Sequence, residues 1–180
     1  MSLSEASKDH AYSLIRVVPD FPSPGIIFKD VTPMLKDAEA FASVVETIAS
    51  YSENFDLVAG IEARGFILAA AVAGYAGKGF VPIRKSGKLP YITHSETYGL
   101  EYGIDTLEIH QDAVLKGERV LLLDDVLATG GTLKAASKLI ERCGGVIDAV
   151  AVLLEIPGLG GKAKFAKEFP SIAVHTVFPE

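Results

Sequence analysis

The chain has 180 residues, of which 49% are apolar and 22% are charged, and this composition is ordinary for one globular domain spanning residues 1–180. Its net charge of −6 argues against a general nucleic-acid or membrane binder, because such proteins need a basic surface. The single cysteine excludes an internal disulfide and a cysteine-based zinc site. The N-terminus lacks the pattern of a signal peptide and no apolar stretch could span a bilayer, so we expect a cytoplasmic protein.

The first fifty residues predict a short helical and extended region. Residues 3–17 space their apolar positions as an amphipathic helix does, and residues 37–51 do the same. PDFPSPG (19–25) cannot be helical, because its three prolines fix φ and remove backbone donors. Residues 26–35 are typical of an extended segment or a short strand.

The remainder alternates apolar strands with helices. The predicted strands are DLVAGIE (56–62), GFVPIRK (79–85), RVLLLDD (119–125), VIDAVAVLLE (146–155) and SIAVHTVF (171–178). Helices are predicted over 65–77, after the EARG turn, and over 132–145, where a glycine pair ends the helix. This order indicates an α/β fold with a mostly parallel central sheet covered by helices on both faces. Residues 86–112 interrupt the pattern, and we predict a flexible loop leading into an antiparallel strand.

The stretch DDVLATGGT (124–132) carries the strongest functional signal. It connects a strand to a helix, and open α/β sheets bind ligands beyond the carboxyl ends of their strands. The glycines let the backbone approach a ligand closely, while the helix N-terminus directs N–H groups and a favourable dipole at an anion. The hydroxyls of Thr129 and Thr132 add donors. The pattern is typical of a phosphate monoester site, since the Walker and dinucleotide glycine patterns do not occur.

Asp124 and Asp125 extend this interpretation to a sugar phosphate. A carboxylate at the end of a buried strand is unfavourable unless a partner satisfies it. Sugar hydroxyls donate hydrogen bonds and Mg²⁺ neutralises charge, so a ribose 5-phosphate unit meets both needs. The alternative is a structural turn capped by Thr132 with surface aspartates, and the adjacent acid pair disfavours it.

VLLLDDVLATGGT (120–132) resembles the thirteen-residue signature of the type I phosphoribosyltransferases. The chain is most similar to the adenine-using branch of that family. FPSPGIIFKDVTPMLKD, GIEARGF, IRKSGKLP and LEYGIDTLEIHQDA occur in the order and at the spacing found there. The resemblance implies the family fold, with a small N-terminal hood (residues 1–35) for base recognition and a flexible catalytic loop (residues 86–103).

The resemblance also implies roles for the signature residues. The turn would cradle the 5′-phosphate of 5-phosphoribosyl 1-pyrophosphate with Ala128, Thr129, Gly130, Gly131 and Thr132. Asp124 and Asp125 would bind the ribose hydroxyls, and would meet Mg²⁺ indirectly through substrate or water.

Two basic segments resemble the family's pyrophosphate site. EARG (62–65) is similar to the family's pyrophosphate loop, which often contains a non-proline cis peptide bond. Arg64 would be its charged, catalytic hydrogen-bond donor. IRKSGK (83–88) would contribute Arg84, Lys85 and Lys88, partly across a dimer interface. Cations suit this role, because a departing pyrophosphate needs its charge stabilised. Without the resemblance, Arg64 would be an ordinary exposed arginine and the basic run a solvated loop.

The base-recognition residues implied by the resemblance lie in three segments. Phe28 would stack on the purine, and the backbone of Ile27 and Lys29 would read its edge; the family often has arginine where Lys29 stands. Leu159 would pack against the base. Without the resemblance, Phe28 and Leu159 would be read as core residues.

Glu101 matches a glutamate proposed in the family as a general acid or base near the purine nitrogens. Tyr102 beside it would position the closing loop. A loop glutamate without that match would be read as a solvated surface charge.

The implied reaction joins adenine and 5-phosphoribosyl 1-pyrophosphate to give AMP and pyrophosphate, with Mg²⁺ and inversion at the anomeric carbon. A homodimer is implied, with no nucleic-acid or membrane partner. Three alternatives are open: a different acceptor base, a nucleic-acid-binding regulator, and an interaction domain with a vestigial site. The PGIIFKD and LEYG matches disfavour the first and the acidic net charge disfavours the second. The presence of both aspartates, Arg64 and Glu101 disfavours the third.

Overall fold

A computed structural model describes residues 5–99 and 103–179 of the chain. The chain forms two compact units, and the boundary between them falls between Ser50 and Tyr51. No helix in the described ranges is both long enough and apolar enough to cross a bilayer.

The first unit contains two strands and three helices. Its elements are α1 (Glu5–Ser13), β1 (Arg16–Pro19), β2 (Ile27–Asp30), α2 (Thr32–Lys36) and α3 (Ala38–Ala49). β1 and β2 pair antiparallel, with Val18 opposite Phe28. The predicted first helix is too long at its C-terminal end, because Arg16 already belongs to the hairpin. The helix predicted over 37–51 is confirmed, and the Asp37 side chain caps it by accepting a 2.9 Å hydrogen bond from Ala40 N.

The second unit is a seven-stranded sheet with helices on both faces. Its elements are β3 (Leu57–Ile61), α4 (Gly65–Ala76), β4 (Gly79–Lys85), β5 (Thr93–Gly99), β6 (Ile104–His110), β7 (Arg119–Leu127), α5 (Gly131–Cys143), β8 (Val146–Glu155), α6 (Gly161–Glu168) and β9 (Ala173–Thr176). The strand order is β5-β6-β4-β3-β7-β8-β9. The five strands from β4 to β9 in that order run parallel, and β5 and β6 are antiparallel additions at one edge. The predicted fold class is confirmed.

Alternation along β3 shows how the two faces are covered. Ala59 and Ile61 point into the core that also contains Leu133 and Ile140 of α5. Gly60, between them, faces α4, and a Cβ added there would lie 2.6 Å from the Ala69 Cβ. Only a glycine lets α4 lie this close to the sheet.

The segment predicted as a loop over 86–103 is only partly a loop. Thr93–Gly99 forms strand β5, which pairs with β6 from Thr93–His110 to Gly99–Ile104. Glu96 on this polar strand forms ion pairs with Arg142 (2.8 Å) and Lys138 (3.6 Å) of α5. The sequence of β5 has little apolar patterning, because its partners are a neighbouring strand and charged helix residues. Helix α6 was not predicted either.

The strand order creates a topological switch point. The chain leaves β3 through α4 toward β4 on one side, and leaves β7 through α5 toward β8 on the other. The carboxyl ends of β3 and β7 therefore flank the crevice where ligands bind in open α/β sheets.

Candidate functional site: a phosphate turn and an acid pair at the switch point

The acid pair lies at the end of β7, inside the unit. Asp124 is 9% exposed and Asp125 is 7% exposed. Oδ1 of Asp124 accepts a 2.9 Å hydrogen bond from Asp125 N, and Oδ2 of Asp125 forms an ion pair with Nη2 of Arg64. Arg64 comes from the turn after β3, so the structure joins two of the predicted site segments across the switch point.

Burial makes the charge of this pair unfavourable. Burial, and then repulsion from Asp125, raise the pKa of Asp124 well above its usual value. Burial also raises the pKa of Asp125, against the opposing attraction of the Arg64 guanidinium. Two buried carboxyl groups whose pKa values stay raised despite Arg64 suit a ligand that brings hydroxyl donors or a further cation.

Gly65 allows the turn after β3 to lie against the acid pair. A Cβ on Gly65 would lie 3.0 Å from the Leu123 carbonyl oxygen and 3.2 Å from Asp124 Oδ1. Any larger side chain would push the turn away from β7. The peptide bond between Glu62 and Ala63 is cis, as the resemblance implies.

The predicted phosphate turn (residues 128–132) leads directly into α5. Gly130, at φ +85°, is the residue before the helix, and no side chain caps the helix start in the described structure. Helix α5 begins at Gly131, so the turn presents N-terminal backbone N–H groups beside the acid pair. Thr129 and Thr132 are half-buried on this turn. The arrangement can bind a phosphate monoester next to a sugar.

Sequence reasoning missed the packing behind this turn. A Cβ on Gly130 would lie 2.9 Å from the Gly161 carbonyl oxygen, and a Cβ on Gly161 would collide with the Ala128 carbonyl oxygen. The start of α6 thus touches the phosphate turn backbone to backbone. The only sequence signal was the cluster of glycines in EIPGLGGK (155–162).

Arg84 and Lys88 converge on Glu62, a residue to which the sequence assigned no role. Glu62 accepts hydrogen bonds from Arg84 Nε (3.3 Å) and Nη2 (3.2 Å), from Lys88 Nζ (2.7 Å) and from Lys85 N (3.0 Å). Burial raises the pKa of Glu62, but these donors outweigh it and lower the pKa to about 2. An acid at the end of a buried strand needs such partners, and that signal could have identified it.

Lys85 points away from this cluster, because neighbouring side chains on a strand face opposite sides. Its ammonium group forms an ion pair with Asp105 and lies 3.2 Å from the Tyr98 hydroxyl. Burial lowers the pKa of Lys85, but hydrogen bonding to Asp105 and Tyr98 produces a net rise. Its role in pyrophosphate binding stays a prediction.

The predicted base-contact residues are distributed over both units. In the first unit, Ile27 and Lys29 flank Phe28 on β2; Ile27 is 62% exposed, and Phe28 packs edge-on against Phe21 at 5.1 Å. In the second unit, Leu159 is half-buried in the turn before α6.

Glu101 and Tyr102 lie outside the described residues.

The described residues do not by themselves form a metal site. Within residues 5–99 and 103–179, no three His, Cys, Asp or Glu side chains are grouped so as to hold an ion. Asp124 and Asp125 fit Mg²⁺ in another way, since this ion commonly binds one or two carboxylates and completes its shell with water and substrate phosphates.

A phosphate turn and a ribose-type acid pair at an α/β switch point are the features of a phosphoribosyl transferase domain. The family model of that domain matches residues 31–177. The adenine phosphoribosyltransferase of Parvibaculum lavamentivorans is 54% identical over 152 residues, which cover 83% of this chain and 87% of the relative.

Solved structures agree with this relationship. The adenine phosphoribosyltransferase of Thermoanaerobacter pseudethanolicus superposes with a TM-score of 0.88 at 48% identity, covering 94% of this chain and 98% of that one. The Saccharomyces cerevisiae enzyme, crystallised with adenine and an imino-altritol bisphosphate, gives a TM-score of 0.90 at 30% identity, covering 97% and 100%. The chain belongs to the adenine phosphoribosyltransferase family, whose members are pentosyltransferases.

Proposed function

We propose that the protein transfers the phosphoribosyl group of 5-phosphoribosyl 1-pyrophosphate to adenine, giving AMP and pyrophosphate in a purine salvage reaction. The acceptor nitrogen attacks the anomeric carbon opposite the departing pyrophosphate, so that centre inverts. The observation that carries the proposal is the acid pair, Asp124 and Asp125, lying between the phosphate turn and Arg64.

Each group in this arrangement has a role that suits one part of the donor. The turn at 128–132 holds the 5′-phosphate, and the two aspartates accept hydrogen bonds from the ribose hydroxyls. Negative charge develops on the leaving pyrophosphate as its bond to the anomeric carbon breaks, and the cations proposed to stabilise it are Arg64, Arg84, Lys85 and Lys88. Fixing both ends of the sugar aligns the anomeric carbon for attack.

The reaction is proposed to need Mg²⁺. When bound, the ion would neutralise negative charge on the pyrophosphate. Asp124 and Asp125 would hold it through substrate or water, which fits two buried carboxyl groups whose pKa values stay raised despite the nearby Arg64. Turnover in the presence of excess chelator would contradict this part of the proposal.

The decisive assay is the release of pyrophosphate from 5-phosphoribosyl 1-pyrophosphate, with and without adenine, in the presence of Mg²⁺. Release from the wild-type protein should depend on adenine, and Asp125→Asn should reduce it by about a hundredfold or more, because ribose alignment is lost. If the wild-type protein releases no pyrophosphate with adenine but does so with hypoxanthine, guanine, xanthine or orotate, that base replaces adenine as the proposed acceptor.

Base recognition is assigned to Phe28 by stacking, to the backbone of Ile27 and Lys29, and to Leu159 by apolar contact. Phe28→Ala and Leu159→Ala should each raise the KM for adenine, leaving the KM for the phosphoribosyl donor within about twofold. Phe28→Ala removes aromatic stacking, which contributes roughly 1–3 kcal/mol, and Leu159→Ala removes an apolar contact. Lys29→Ala should have little effect if only its backbone reads the base. Equal changes in both KM values would argue against a base-contact role.

Glu101 is proposed as the general acid or base toward the purine, and Tyr102 as a residue that positions the closing loop. Glu101→Gln should lower kcat and remove one limb of its pH profile, with little change in donor binding. Closure of the segment 86–103, which includes strand β5, should appear as slower deuterium exchange in the presence of substrates. An unchanged pH profile would reject the role of Glu101.

A homodimer is proposed, supported by helix α4. Its sequence, GFILAAAVAGYA, is apolar on every side, yet Ile67 is 45% exposed and Tyr75 is 60% exposed. Phe80 extends this apolar surface, which suits a second copy of the chain. Tyr75→Glu should lower the mass measured by sedimentation to that of one chain, whereas Tyr91→Glu, at an equally exposed tyrosine just before the edge strand β5, should not.

A further inference from the structure

Glu62 is the point at which two predicted pyrophosphate-binding cations meet. It follows β3, its side chain is 10% exposed, and both of its carboxylate oxygens accept two hydrogen bonds each. Arg84 Nη1 also donates a 3.0 Å hydrogen bond to the Lys88 carbonyl oxygen. Glu62, Arg84 and Lys88 therefore form a closed ring, in which each member contacts the other two.

We propose that Glu62 is a positioning residue that holds Arg84 and Lys88 in the arrangement needed to bind pyrophosphate; the inference rests on the function proposed above. The two cations repel each other and have long, flexible side chains. A carboxylate between them removes the repulsion and selects one rotamer of each. The trio keeps a net positive charge, so it still attracts an anion.

The hydrogen-bonding capacity of the cations supports this role. A guanidinium has five N–H groups and an ammonium has three. Glu62 and the Lys88 carbonyl engage Nε and one N–H on each Nη of Arg84, and Lys88 Nζ donates once to Glu62. Donors on both cations are thus left for phosphate oxygens. The pKa of about 2 keeps Glu62 ionised at neutral pH.

The turn that carries Glu62 also carries Arg64, which faces Asp125 on the opposite side. One four-residue turn (62–65) therefore orients three cations. It carries Arg64 itself, and its Glu62 carboxylate holds Arg84 and Lys88. Glu62 itself need not contact the substrate.

The test is the binding of inorganic pyrophosphate and of AMP to Glu62→Gln, measured by calorimetry on the full chain. Pyrophosphate affinity should fall about tenfold, while AMP affinity stays within about twofold, because AMP carries no pyrophosphate. The matched control is Glu108→Gln. Glu108 lies opposite Arg84 on β6, and its carboxylate accepts hydrogen bonds from Ser86 Oγ (2.7 Å) and Gly87 N (3.0 Å). Glu108→Gln removes the same charge from this neighbourhood but breaks no hydrogen bond to Arg84 or Lys88 among the described residues. It should leave both affinities unchanged.

A double-mutant cycle separates positioning from general electrostatics. In an Arg84→Ala/Lys88→Ala background, Glu62→Gln should have no further effect on pyrophosphate binding. Glu62→Asp keeps the charge but withdraws the carboxylate by one methylene, so it should also weaken pyrophosphate selectively. It serves as the second variant if Glu62→Gln does not fold.

Three results would overturn the inference: tighter pyrophosphate binding by Glu62→Gln, an equal loss of AMP and pyrophosphate affinity, or full additivity in the cycle. A wild-type protein without adenine-dependent turnover would instead refute the proposed function.

Discussion

The contact between α6 and the phosphate turn makes Gly161→Ala a sensitive probe of the site. The new methyl group would collide with the Ala128 carbonyl oxygen and would lie 2.8 Å from Leu127 Cδ1. The neighbouring backbone is part of the phosphate turn, so the collision cannot be relieved by rotating a flexible side chain. Either α6 or the turn must move.

The expected loss of stability follows from these contacts. Overpacking a well-packed site costs about 1–3 kcal/mol. Alanine favours a helix over glycine by up to about 1 kcal/mol, which offsets part of this loss. In a chain of this size, each kcal/mol corresponds to roughly 2–4 °C in Tm. We therefore expect Gly161→Ala to lower Tm by several degrees and to weaken binding of the 5′-phosphate.

Thermal unfolding and AMP binding test this prediction together. The matched control is Gly74→Ala in α4, where an added Cβ meets nothing within 4 Å, so the helix preference should raise Tm slightly. A Gly161→Ala protein with unchanged Tm and AMP affinity would refute the reasoning, because it would show that the turn and α6 do not touch as described.

Three further changes have defined signs. Asp124→Asn should raise Tm at neutral pH without Mg²⁺ while abolishing turnover. The pKa of Asp124 in the folded protein lies above its ordinary 3.8, so wild-type stability should fall as pH rises from 3.8 to the folded pKa. This pH dependence should vanish in Asp124→Asn. For Glu62, whose pKa falls from 4.5 to about 2, the stabilisation is present above pH 4.5 and is lost as pH falls toward 2, so urea unfolding of wild type and Glu62→Gln should converge in acid. A constant difference between the two would contradict the assignment. Leu122→Ala, at a fully buried position, should lower the free energy of unfolding by about 2–5 kcal/mol in the same assay.

The phosphate turn illustrates what sequence reasoning could find. Residues 124–132 are consecutive, so strand, acids, turn and helix start could be placed together from local pattern alone. Arg64 was expected beside the acid pair only through the family resemblance, since nothing local distinguishes it from a surface arginine. Its pairing with Asp125 is a contact between two different strand ends.

The interaction partners of Glu62 and Lys85 could not be predicted from the sequence. Both residues end strands that were predicted, yet their partners come from neighbouring strands: Arg84 from β4 for Glu62, and Asp105 from β6 for Lys85. A run of basic residues looks uniform in sequence. In the sheet, alternation sends Arg84 and Lys85 to opposite sides and gives them different surroundings.

The sequence by itself determined the α/β class, the parallel core strands and the position of the phosphate turn, because periodicity, apolar strand composition and glycine turns act over neighbouring residues. Tertiary structure alone decided the order of the strands, the hairpin of β5 with β6, the contact of Gly161 with Ala128 and the ring around Glu62. These depend on which elements lie side by side, and that is set by the packing of residues far apart in the chain. The chemistry of the site needs both, since the turn is local but the charges around it are brought together by the sheet.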